Sequence, residues 1–192
     1  MLYASCVSVL PYRPEFANES PYGAPQVDVP VCLNVNENPY PPSPELIADI
    51  AAAAGRAAAE LNRYPNRDFM ELRADLAAFL ENESHVHVEP ENIWAANGSN
   101  EVMLHLLQAF AGPGRTVASF APTYSMYSEY ARDVSSRWVA GSRTDSFELD
   151  LDEVRSVLER ERPAVVLLTS PNNPTGTALP QGQLVQILDI AR

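Results

Sequence analysis

From Ile93 to Arg192 the chain alternates between short apolar runs and segments of helical period, and that rhythm restricts the fold more than any other feature. Ile93–Ala96, Thr116–Phe120, Arg137–Ala140 and Ala164–Thr169 read as strands. Ser99–Phe110, Tyr124–Asp133, Asp152–Glu161 and Gln183–Ile190 read as the helices between and after them, with apolar residues recurring every three to four positions. Ala164–Thr169 (AVVLLT) is continuously apolar up to its last residue, the pattern of a strand buried on both faces. Strands separated by helices must pair in parallel through right-handed crossovers, so the expected architecture is a three-layer α/β/α domain with a mostly parallel sheet. Ligands of such sheets bind beyond the carboxyl ends of the strands. The loops after Ala96, Phe120 and Thr169 are therefore where chemistry is expected.

Upstream the pattern differs. Residues 1–42 are punctuated by prolines (Pro11, Pro14, Pro21, Pro25, Pro30, Pro39) and carry no sustained period, which marks an N-terminal extension and arm. Residues 43–92 form a helical segment leading into the domain that occupies 93–192. Its first helix begins at Ser43, whose hydroxyl can cap while Pro44 takes the first helical position, and runs towards Leu61. A second helix fits Asp68–Glu81, after a break at Arg63-Tyr64-Pro65.

Charge and composition remove several functions. Thirteen arginines, no lysine and 25 carboxylates give a net charge of −12, without the clustered basic surface that nucleic acid or an anionic membrane requires. No run approaches the roughly 20 apolar residues of a membrane span, and no basic residue precedes the first apolar run, so a cytoplasmic protein is expected. Two cysteines, Cys6 and Cys32, do not make a disulfide scaffold. His85 and His87 form an H-x-H pair with no evident third ligand, so no metal is expected. The absence of lysine denies these residues any Schiff base through a lysine amine.

The loop Asn97-Gly98-Ser99-Asn100-Glu101 joins a strand to a helix. Gly98 permits a tight turn, and the N–H groups that follow suit a phosphate, with the Ser99 hydroxyl as a further donor; Ser99 or Asn100 acting only as a helix cap fits equally. In Ala121-Pro122-Thr123-Tyr124-Ser125-Met126-Tyr127, an aromatic ring at the mouth of a strand can stack on a planar ligand, or Tyr124 and Tyr127 can simply edge the core. Thr169-Ser170-Pro171-Asn172-Asn173-Pro174-Thr175-Gly176 is more telling. Two prolines and a glycine make a rigid loop with two amides at its apex, able to donate to a phenolate-like oxygen without adding charge.

S-P-N-N-P-T-G after a strand resembles the loop of class I/II, fold-type-I aminotransferases that use pyridoxal phosphate, and N-G-S-N-E and A-P-T-Y-S-M-Y stand where that family has its counterparts. S-P-Y-G-A-P (Ser20–Pro25), L-N-V-N-E-N-P-Y-P-P (Leu33–Pro42) and R-Y-P-N (Arg63–Asn66) are similar to the N-terminal half of the histidinol-phosphate aminotransferase family. The resemblance covers about Ser20 to Arg192. It implies that Ser99 and Asn100 bind the cofactor phosphate, that Tyr124 stacks on the pyridine ring, and that Asn173 bonds the phenolic oxygen. It further implies that Tyr64 reaches the partner's cofactor in a homodimer, and that Asn36 and Glu37 border the substrate pocket.

The implied reaction of the complete enzyme is transamination between L-histidinol phosphate and 2-oxoglutarate, in histidine biosynthesis. The neighbouring expectation is an aromatic amino-acid aminotransferase. In the family, the Schiff-base lysine and the carboxylate on the pyridinium nitrogen follow the third loop, beyond Arg192. The chain is thus expected to be an incomplete PLP-binding domain, inactive alone, binding cofactor non-covalently at most, and either aggregating through the open edge beside Ala164–Thr169 or staying partly unfolded. A contrasting expectation is a non-catalytic remnant that pairs with a full-length subunit.

Overall fold

The computed structural model describes residues 11, 13–16, 23, 25–32 and 34–192. The expected extension at residues 1–19 and the Ser20–Pro25 motif fall largely outside them, as do Cys6 and Leu33. The chain divides into two compact units, Met1–Leu72 and Arg73–Arg192.

In the first unit the arm is irregular and largely exposed up to helix α1, Pro44–Ala58. The Ser43 hydroxyl accepts the Leu46 N–H at 3.2 Å and Pro44 fills the first helical position, as the sequence predicts. The helix stops at Ala58, three residues short of Leu61, and buries none of its side chains. The second helix, α2 (Met70–Ser84), begins in this unit, continues in the second, and starts two residues later than expected. The Asn66 side chain accepts the N–H groups of Asp68 and Phe69 at 2.9 and 3.2 Å, and an Asx turn of this kind competes with helix initiation.

The second unit holds α3 (Gly98–Phe110), β1 (Thr116–Ala121), α4 (Met126–Asp133), β2 (Arg137–Ser142), α5 (Leu151–Glu161), β3 (Val165–Val166) and α6 (Gln181–Ala191). The strands form a parallel sheet in the order β2-β1-β3. Residues alternate across β1, the central strand, and so specify two cores. Ala118 and Phe120 face Leu149, Val154, Val157, Leu158 and Ile187, from α5, α6 and the chain before α5. Val117 faces Leu107, Tyr127, Tyr130, Ala131 and Leu167, with α3 and α4 supplying that layer. The expected α/β/α layering is thereby present.

Two strand expectations need correction. Ile93–Ala96 is not a strand: a 3-10 turn at Pro90–Asn92 leads into an irregular stretch with no ladder partner among the described residues, although Ile93 is buried. Ala164–Thr169 keeps regular pairing only at Val165–Val166, which are half-buried rather than enclosed on both faces. Backbone bonds from Ala164 to Thr116 and from Leu167 to Ala118, both 2.8 Å, extend the contact by one residue each way. Beyond them the Ser119 hydroxyl donates to the Leu167 carbonyl at 2.8 Å, and the chain leaves the sheet towards the third loop.

Candidate functional site

The carboxyl ends of β1 and β3 release the second and third loops side by side. On the third, Asn172 and Asn173 do different work although the sequence presents them as a pair. Asn172 is 2% exposed. Its Nδ2 donates to the Pro122 carbonyl at 3.1 Å and to Thr175 Oγ1 at 2.8 Å, while its Oδ1 accepts from the Arg143 guanidinium at 2.9 Å. Its backbone closes the loop: Asn172 N–H donates to Thr177 at 2.8 Å and its carbonyl accepts from Gly176 at 2.7 Å. Gly176 has φ +73°, a left-handed conformation that a side chain resists, so glycine suits the turn. Asn173 is half-buried, and its side chain bonds to no other described residue.

Tyr124 belongs to the second loop, not to a helix face, because α4 starts only at Met126. Tyr127, one turn on, is buried and donates to or accepts from Thr169 at 2.8 Å. The two rings meet edge-to-face with centroids 5.5 Å apart, so the core tyrosine buttresses the half-buried loop tyrosine. Both tyrosines edge the core, Tyr127 as a buried member of the cluster beneath α3 and α4 and Tyr124 packed against it from the loop.

Asn100 lies on the first turn of α3. Its Oδ1 accepts from the Tyr124 hydroxyl at 3.4 Å and from the buried Tyr130 hydroxyl. An acceptor engaged twice leaves the amide's donor end for something else. The helix N-terminus is open. Asn97 precedes it without a side-chain cap, and Gly98, at φ +77°, makes the turn that a residue with Cβ would strain to make. First-turn N–H groups have no intrahelical acceptor; the Asn97 N–H is taken by Glu101 Oε2 at 2.6 Å and the Gly98 N–H by the Ala96 carbonyl at 2.8 Å, which leaves those of Ser99 and Asn100. The exposed Ser99 hydroxyl bonds to no described residue. Donors without acceptors at a positive helix end fit an anionic group.

The structure therefore gathers Asn100 and Tyr124 by direct contact and brings Asn173 in through the Asn172–Pro122 link. Tyr64, Asn36 and Glu37 lie in the first unit; all three are exposed, Tyr64 completely. Sequence reading passed over Arg143, which lies directly after β2 and donates from Nε to the Phe120 carbonyl at 3.1 Å and from Nη1 to Phe147 at 2.9 Å. Burial lowers its pKa from the usual guanidinium value, yet it remains a cation. A lone arginine at a strand's carboxyl end was its only sequence signal. His87 engages Glu89 at 3.2 Å and Glu81 at 3.4 Å, and among the described residues no group of three or more His, Cys, Asp or Glu is placed to hold a metal ion. No helix among them is long and apolar enough to cross a membrane.

Comparison with known proteins bears on the same elements. The sequence model described as aminotransferase class I and II matches residues 29–192. Histidinol-phosphate aminotransferase 3 of Burkholderia lata is 54% identical over 188 residues, which are 98% of this chain and 51% of the relative. A histidinol-phosphate aminotransferase of Mycolicibacterium smegmatis is 51% identical over 180 residues, 94% of this chain and 82% of the relative. The solved histidinol-phosphate aminotransferase of Sinorhizobium meliloti, in complex with pyridoxal-5'-phosphate, superposes with a TM-score of 0.65 at 22% identity, covering 79% of this chain and 38% of that one. That likeness establishes the fold. The chain spans about half the length of most of the curated relatives it matches.

Proposed function

This chain belongs to the aminotransferase class I and II family, among the histidinol-phosphate aminotransferases, and from that premise we propose that its second unit holds pyridoxal phosphate non-covalently at the three loops. The observation that carries the reading is the coincidence of an open helix N-terminus at Ser99–Asn100 with an unengaged amide at Asn173, at two of the loops predicted to carry chemistry. Ser99 and the first-turn N–H groups of α3 would take the phosphate, in keeping with the preference of helix N-termini for negative charge. Tyr124, braced by Tyr127, would lie against the ring, and Asn173 would donate to its phenolic oxygen.

When bound, pyridoxal phosphate supplies an electron sink for proton loss from an amino-bearing carbon. The residues present bind and orient: the helix end fixes one pole, the neutral Asn173 amide the other. None of the 192 residues is a lysine, so no step that needs a lysine amine is assigned to them. In the complete enzyme the reading extends to amino transfer between L-histidinol phosphate and 2-oxoglutarate by a homodimer. The fully exposed Tyr64 would reach the partner's cofactor, and the exposed Asn36 and Glu37 would border the substrate.

Equilibrium dialysis of the 192-residue chain against pyridoxal phosphate tests the cofactor reading. Saturable binding is expected that borohydride does not make covalent at a side chain. Asn173→Ala and Ser99→Ala should each weaken it about tenfold, the worth of one hydrogen bond to a charged or strongly polar group. Absence of saturable binding, or wild-type affinity in both variants, would sink it. With L-histidinol phosphate and 2-oxoglutarate the chain alone should not turn over.

A further inference from the structure

We infer that Arg143 is a positioning residue, which sets the cofactor-facing loops by locking the orientation of the Asn172 amide. This rests on the cofactor reading above only for its functional consequence; the lock itself stands on geometry. A guanidinium can donate and never accept, so the Asn172 end that meets Arg143 Nη2 at 2.9 Å must be the carbonyl oxygen. The other end is then the NH2, and it meets two acceptors: the Pro122 carbonyl at 3.1 Å and Thr175 Oγ1 at 2.8 Å. Were the amide turned over, two oxygens would oppose each other at Pro122 and two donors at Arg143.

The consequence reaches both loops. Pro122 is two residues before Tyr124, and Asn172 is the residue before Asn173. One buried amide therefore ties the tyrosine-bearing loop to the asparagine-bearing loop. Arg143 anchors that tie to the sheet, because its Nε holds the Phe120 carbonyl at the end of β1 and its own N–H donates to Ala121 at 2.9 Å. Its remaining contact, Nη1 to the Phe147 carbonyl at 2.9 Å, fixes the turn before α5 and keeps the guanidinium from rotating. Arg143 meets neither Tyr124 nor Asn173 in any bond described; it acts on them through Asn172.

Two measurements on the intact 192-residue chain test this, one of which needs no cofactor. In the wild type the Asn172 side-chain NH2 protons should give one pair of slowly exchanging NMR signals with cross-peaks to Pro122. In Arg143→Met that protection and those cross-peaks should be lost, while Asn172 remains present. Dialysis with pyridoxal phosphate should show Arg143→Met weakened about tenfold, equivalent to about 1.4 kcal/mol. The same change made in an Asn172→Ala background should cost less than about twofold, since a residue acting through Asn172 has nothing left to orient.

Equal losses in both backgrounds would overturn the inference, as would unaltered Asn172 signals in Arg143→Met. If the wild type binds no pyridoxal phosphate, the cofactor reading fails and the NMR outcome alone decides the positioning role. Should Arg143→Met not fold, Arg143→Lys replaces it. Its single ammonium cannot span Phe120, Phe147 and Asn172, so partial loss of the Asn172 signals supports the lock and their full retention refutes it.

Discussion

Helices α1 and α5 begin on the same kind of local signal and end in different circumstances. Ser43 caps α1 by accepting from Leu46, and Asp150 caps α5 by accepting from Asp152 at 2.8 Å. Yet α5 buries Val154, Val157 and Leu158 against the sheet, whereas α1 buries nothing and leaves Leu46, Ile47 and Ile50 at least half exposed. Capping chemistry decides where a helix starts, at about 1 kcal/mol. Whether it contributes to the stability of the unit depends on the apolar face finding a surface, which is worth several times more.

The contrast is best broken by truncating the two apolar faces. Leu158→Ala should destabilise the second unit by about 2–5 kcal/mol in urea unfolding, while Ile50→Ala should stay within about 0.5 kcal/mol. Equal effects would mean that α1 carries a buried face after all. A smaller loss is expected from Gly141→Ala on β2. An added Cβ there would lie 2.7 Å from Phe120 and 3.0 Å from Val157, so the core under α5 must shift, at about 1–3 kcal/mol. Unchanged stability would show that Phe120 has room to move.

Removing the caps sharpens the same comparison. Ser43→Ala and Asp150→Ala should each cost about 1 kcal/mol. The first should raise hydrogen exchange only along α1, and the second should lower the melting point of the whole second unit; the reverse distribution would contradict the packing described. The smallest effect is a pH dependence. Hydrogen bonds and charge from Glu89 and then Glu81 raise the His87 pKa above an ordinary histidine's. Because the folded value is the higher one, the stabilisation is complete below the unfolded pKa and fades as pH rises through the folded pKa. The His87 ring signals should titrate above the ordinary histidine midpoint, and Glu89→Gln should bring that midpoint down. An unchanged His87 midpoint in Glu89→Gln would show that the carboxylates do not act on His87.

Where period and caps agree, sequence and structure coincide. Ser43-Pro44, the face of α5, and the start of β1 at Thr116 needed only local chemistry to be seen. Ile93–Ala96 had strand-like composition, but a strand exists only through its partner, and partners are not written in a four-residue window. The site divides along the same line. Ser99, Asn100, Tyr124 and Asn173 were marked by loop chemistry. The separation of Asn172 from Asn173, and the part of Arg143, depend on contacts 29 and 50 residues apart in the chain. Such long-range bonds leave no trace in spacing.

The third loop carries one more consequence. Residues 172–177 are bonded across their own ends, by Asn172 N–H to Thr177 and Gly176 N–H to Asn172. Six residues so closed behave as a cassette with its own shape, joined to the rest at Ser170 on one side and Leu179 on the other, where the Ser170 hydroxyl accepts the Leu179 N–H at 3.0 Å. Length changes among relatives should therefore accumulate outside this ring.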